Sequence, residues 1–130
     1  YGHIRVFGLV EYHPDLWRAE KLRRVVDEFG GVMIAAHPIR AVSCKLSASQ
    51  LAERPLFHLV DEIETCNGAS SKAENDIASQ VCSCLKYKGV GGSDAHRVAE
   101  VGRCVTVFEK VIETEEQLIT ELKAKRFKVA

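Results

Sequence analysis

The chain of 130 residues is the size of one ordinary domain, long enough to bury a core without disulfide or metal staples, and is read as a single domain over 1–130. Lys plus Arg (18) equals Asp plus Glu (18), so the formal charge is zero, and nothing electrostatic advertises a nucleic-acid partner. No stretch approaches the roughly 18 uninterrupted apolar residues of a membrane span, and "YGHIRVFG" lacks the layout of a signal peptide; a protein of the cytoplasm is expected.

In chain order, strand-like and helix-like segments alternate. "IRVFGLV" (4–10) is short, apolar and β-branched. Pro14 and Asp15 suit a helix opening, and Leu16, Trp17, Leu22, Val25, Val26 and Phe29 follow near helical spacing until Gly30 and Gly31. "VMIAAHP" (32–38) reads as a buried strand cut off by Pro38, with His37 at its C-terminal end in the extended geometry that a following proline imposes. Ser47 with Gln50 fits a capping box on a short helix, "LVDEIETCNG" (59–68) ends as a strand at Asn67 and Gly68, and Ser71 with Glu74 caps a helix to about Lys88.

"GVGGSDAH" reads as a further strand running into a glycine-rich bend. There Asp94 and His96, two residues apart, point the same way if the chain is extended, so one carboxylate and one imidazole can reach a single cation. "CVTVFE" (104–109) is a strand, and Thr114 with Gln117 opens a last helix, acidic in its first turn and basic in its last. "RFKVA" is a terminal strand or a frayed end. The five cysteines, Cys44, Cys66, Cys82, Cys84 and Cys104, are odd in number and scattered, which suits reduced thiols. Cys82 and Cys84 fall on a helix where i and i+2 diverge, so small packed side chains are expected there and not a zinc half-site.

Such alternation argues for a mostly parallel sheet with helices outside it, an α/β barrel or an open doubly wound sheet. In either, function gathers at the C-terminal ends of the strands. His37 with Arg40, Asn67, and Asp94 with His96 all fall at such ends.

"GHIRVFG", "AAHPIR", "IETCNGASSKAENDIA" and "GGSDAHRVAEVGRCVTVF" resemble, in order and spacing, the later motifs of the PHP (polymerase and histidinol phosphatase) domain, a family of metal-dependent phosphoesterases. The resemblance runs from residue 2 to about residue 127. It implies an α/β fold, the C-terminal part of a distorted (β/α)7 barrel with parallel strands and outer helices. It implies metal ligands at His3, His37, Asp94 and His96, with Arg40 placed to meet a phosphate oxygen. Glu64 and Asn67 match a strand-end Glu and Asn that fix their neighbours. The family's first-strand H-x-H pair, an acidic residue, and a later histidine and glutamate have no match here, so a piece of a longer barrel is expected.

Divalent zinc, manganese or iron suits mixed His and Asp donors. The activity implied is hydrolysis of a small phosphorylated metabolite or nucleotide, with a metal-bound hydroxide as nucleophile, Asp94 and His96 catalytic, and Arg40 offsetting transition-state charge. The alternative is an incomplete or degenerate PHP module, inactive by itself, that binds metal or acts as a scaffold. The partners expected are a small phosphorylated substrate, no membrane, nucleic acid only through a local basic patch, and a second copy across an exposed barrel edge.

Overall fold

A computed structural model describes residues 2–11, 16–40, 42 and 46–130. Ten elements follow one another: β1 (His3–Phe7), α1 (Ala19–Glu28), β2 (Val32–Ala36), α2 (Ala48–Ala52), β3 (Glu62–Asn67), α3 (Lys72–Leu85), β4 (Val90–Gly92), β5 (Thr106–Phe108), α4 (Glu115–Lys123) and β6 (Phe127–Val129). The first four strands form one sheet in the order β1-β2-β3-β4, and β5 pairs with β6 in a second. Among the described residues no helix is long and apolar enough to cross a membrane.

The mixed α/β character read from the sequence holds, and β2, β3 and β4 are parallel. Two features differ from the expected parallel barrel. The first strand runs antiparallel to β2, with His3 opposite Ala36 and Phe7 opposite Val32, and β5 and β6 are also antiparallel. No closed barrel forms among the described residues. An apolar run reads the same whether its strand runs up or down the sheet, so hydrophobic pattern alone leaves strand direction open.

Alternation along the strands gives the sheet two unlike faces. Met33, Ala35 and Ile63 point into a core with Val26, Leu51, Phe57, Ala78 and Val81, contributed by α1, α2, α3 and the 3₁₀ turn at Pro55–His58. The opposite face carries Val32, Ile34 and Val90, covered by Leu122 of α4 and Phe127 of β6. In the central strand that second face presents two glutamates, Glu62 and Glu64, both buried. Glu62 is fully enclosed and accepts from the backbone N–H groups of Lys88 and Gly89 and from Lys125 Nζ, so its charge is paired where it is buried.

The caps sit where the sequence places them. Ser47 with Gln50 and Ser71 with Glu74 form reciprocal capping boxes, and the Thr114 hydroxyl accepts from Gln117 N–H. The third helix stops at Leu85, with Lys86 in the left-handed conformation. The first helix begins at Ala19, and the opening expected at Pro14 and Asp15 lies outside the described residues. "RFKVA" resolves into β6, whose ladder with β5 is lengthened by reciprocal bonds between Val105 and Ala130.

The expectation of reduced thiols is corrected for two of the five cysteines; Cys82 and Cys84 are free thiols, and Cys44 lies outside the described residues. Cys66 at the end of β3 and Cys104 ahead of β5 form a disulfide across 38 residues of chain, a pairing that scattered spacing gives no local means to foresee. Cys82 is buried and Cys84 exposed, as divergent helix positions require.

Candidate functional site

The parallel strands β2, β3 and β4 end on the same edge of the sheet, which brings His37, Asn67 and the Gly92–Asp94 bend side by side. The antiparallel direction of β1 then adds His3. A parallel β1 would carry its first residue to the far end, about 13 Å away over four strand steps; antiparallel pairing sets His3 opposite Ala36 instead. The result is a direct contact, His3 Nδ1 to His37 Nε2, at 3.0 Å. A pocket of about 470 Å³ opens over this pair, lined also by Arg40, Arg54 and Phe57.

His37 is not extended, contrary to the expectation drawn from Pro38. Its φ is +33°, and Asp94 has φ +48°. L-residues occupy this region at a cost, and surrounding contacts have to hold them in it. At His37 the hold is visible: its N–H donates to Glu64 Oε2 at 2.7 Å, and its carbonyl accepts from Arg40 N–H at 3.1 Å. The same Glu64 oxygen accepts from Asn67 Nδ2 at 2.9 Å. Asn67 is fixed in turn by Asn75 of α3, which accepts from its N–H and donates to its carbonyl. One buried carboxylate on β3 thus sets the turn that aims the His37 ring, as a support for a ligand does.

Arg40 ties the third strand end to the fourth. Its Nη2 donates to Asp94 Oδ2 at 2.7 Å, to Asn67 Oδ1 at 2.9 Å and to Ser70 Oγ at 3.4 Å. The hydrogen bond from Arg40 is the main reason that the Asp94 carboxyl is held below the usual carboxylate range, against the opposing effect of burial. His96 Nδ1 lies 2.9 Å from the carbonyl of Asp94. A carbonyl only accepts, so Nδ1 is the donor in this contact, and in the neutral ring the lone pair then lies on Nε2.

The glycines of "GGSDAHR" have steric reasons. A Cβ at Gly91 would meet the Val105 carbonyl, and one at Gly92 would strike Glu64 Oε1. Thr106 makes use of the close approach at Gly91, accepting from its N–H and donating to its carbonyl, each at 2.9 Å. Gly92→Ala is therefore expected to displace the Glu64 carboxylate and to cost about 1–3 kcal/mol, the range for overpacking. Urea unfolding of the variant checks this, and an unchanged midpoint would contradict it.

The five residues singled out from the sequence thus lie along one edge in two subsets. His3 and His37 face each other, while Arg40 and Asp94 are ion-paired with His96 beside them. Among the described residues, no three of His, Cys, Asp and Glu are gathered tightly enough to enclose a metal ion. The donor chemistry still fits one: two imidazole nitrogens converge, and a carboxyl held below the usual carboxylate range and a further imidazole stand at the neighbouring strand end. Sequence reasoning passed over Asn75 and Ser70. An asparagine in the first turns of a helix, where its side chain competes for backbone partners, is the signal that would have found the first.

Residues 72–127 match the family model described as PHP-associated. The match takes in Asp94 and His96 and leaves out His3, His37, Arg40, Glu64 and Asn67. No curated protein and no solved structure matches the chain significantly.

Proposed function

With residues 72–127 matching the PHP-associated family, we propose that the chain forms part of a PHP-type, metal-dependent phosphoesterase acting on a small phosphorylated metabolite or nucleotide. The fold would be the C-terminal portion of a distorted (β/α)7 barrel. The observation that carries the reading is the convergence of His3 Nδ1 and His37 Nε2 at 3.0 Å on the edge that also bears Asp94 and His96.

In this reading His3, His37, Asp94 and His96 hold divalent zinc, manganese or iron, which when bound supplies charge to polarise the phosphoryl oxygens and to acidify the attacking water. The chain's own groups do the rest. Glu64 fixes the His37 backbone, and Asn67 links Glu64 to Arg40. Arg40, which also lines the pocket over His3 and His37, would meet a phosphate oxygen there and offset developing charge. With Nδ1 anchored on the Asp94 carbonyl, His96 has Nε2 available as a ligand or as a proton acceptor.

Initial rates on an aryl phosphate with added manganese, zinc or iron test the reading. Turnover is expected that His37→Ala reduces to background while its far-UV spectrum stays native. Absence of turnover with all three metals would contradict it and favour the second reading, a PHP module that binds metal or acts as a scaffold without catalysis. The unclosed barrel is the observation on that side.

A further inference from the structure

Asp94 and His96 stand at the start of an exposed segment that few bonds fasten to the sheet. Residues 96–99 and 101–103 are exposed. Among the described residues, the hydrogen bonds of 95–103 all close within 94–104: His96 pairs with Glu100 and with the Asp94 carbonyl, Glu100 with Arg97, Val101 with Val98, and Arg103 with Glu100. No ion pair among the described residues leaves 95–103. What fastens the segment is Arg40 on Asp94 at one end and the Cys66–Cys104 disulfide to the end of β3 at the other. We propose that this disulfide is a redox switch for the metal site, holding Asp94 and His96 in place when oxidised and freeing them when reduced. The inference rests on the metal-dependent reading and adds its regulation.

Position is the first argument. Cys66 adjoins Asn67, whose side chain accepts from Arg40 and donates to Glu64, the carboxylate that sets the His37 turn. Cys104 lies two residues before Thr106, whose hydroxyl clasps Gly91 on β4. The bond therefore joins the support of His37 to the segment that bears Asp94 and His96. A Cβ on Gly68 would come within 2.6 Å of the Ser93 carbonyl and 3.0 Å of Arg103 Cβ, so the oxidised segment lies directly on the strand end.

Access is the second. Every residue of β3 is buried except Cys66, whereas Cys104 is only 7% exposed. The register of β3 against β4 shifts between Glu64 and Cys66, the kind of irregularity that re-aims a side chain. Exchange therefore starts at Cys66, with Cys104 as the leaving sulfur.

The reductant is a dithiol. Its thiolate attacks Cys66 Sγ, the S–S bond breaks, and Cys104 leaves as a thiolate that takes up a proton. The reductant's second thiol then attacks the mixed disulfide, and Cys66 leaves and is protonated in turn. Two electrons and two protons pass to the cysteine pair while the dithiol becomes a disulfide. Burial pushes the Cys82 thiol up to about 11, so it keeps its proton and does not attack the bond.

The test compares the oxidised chain with the chain reduced by dithiothreitol and desalted, using two readouts. Manganese affinity, read from the electron-paramagnetic signal of the free ion, is expected to weaken about 10–100-fold on reduction, the range for losing groups that hold ligands in place. Reoxidation with oxidised glutathione should restore it. Cys66→Ala/Cys104→Ala should sit at the weakened affinity with or without reductant, and Cys84→Ser should keep the full response. Limited trypsin digestion of the metal-free chain reads the segment itself: cleavage after Arg97 and Arg103 should speed up roughly tenfold on reduction, with cleavage after exposed Arg18 unchanged. Unchanged cleavage at Arg97 and Arg103 would overturn the proposal, as would reduction that also abolishes the far-UV spectrum, which marks a staple of the whole fold. Faster cleavage at those two sites, with no manganese bound in either redox state, would defeat the metal-dependent reading and uphold the release of the segment. Measurable manganese binding that is equal in both states would defeat the switch alone.

Discussion

Replacing Glu64 by alanine is expected to lower stability by about 2–4 kcal/mol, the cost of leaving one buried and one half-buried donor without an acceptor, and to remove metal binding with it. Glu64 is 4% exposed, and one of its oxygens accepts from both His37 N–H and Asn67 Nδ2. Without it, the positive φ of His37 loses the bond that holds it, and the ring is free to turn from His3. Glu64→Gln keeps an acceptor oxygen at the same reach and should recover most of the stability. Urea unfolding of the three chains decides the matter: a loss under about 0.5 kcal/mol, the scatter of ordinary surface substitutions, would mean that the carboxylate supports nothing.

Removal of the Cys66–Cys104 bond is the second large effect. Its sequence separation of 38 residues corresponds, by the loop-closure entropy of the unfolded chain, to about 4 kcal/mol. The loop so closed contains α3, β4 and the whole segment from Gly91 to Arg103. Cys66→Ala/Cys104→Ala, and the unsubstituted chain under reductant, should both unfold at lower urea. Identical midpoints with and without reductant would contradict the bond's contribution.

Much of this site is legible in the residues before any coordinates. His37 ahead of Pro38, Asn67 ahead of Gly68 and Asp94 after the double glycine each stop a strand, and ends of parallel strands meet on one edge. The helix caps were equally legible, because a hydroxyl with Gln or Glu three residues later is a local signal with a local cause.

What escaped the reading is nonlocal. The resemblance points to His3, but the antiparallel run of β1 that brings it to the site is unforeseen, because nothing in the alternation of "HIRVF" carries a direction. The disulfide depends on a contact between residues far apart in the chain. The left-handed turn at His37 opposes the ordinary preference of a residue before proline, and it exists because a carboxylate from another strand outweighs that preference. Local rules fail at a position held by distant partners because tertiary contacts override them there.

The proposed function stands on a divalent metal held at the strand edge that bears His3, His37, Asp94 and His96. Elemental analysis tests it most directly, on the chain and on His37→Ala/Asp94→Ala, each incubated with zinc or manganese and freed of excess ion. Near-stoichiometric metal is expected in the unsubstituted chain and none in the folded double variant. Equal metal in both, or none in either, would contradict it.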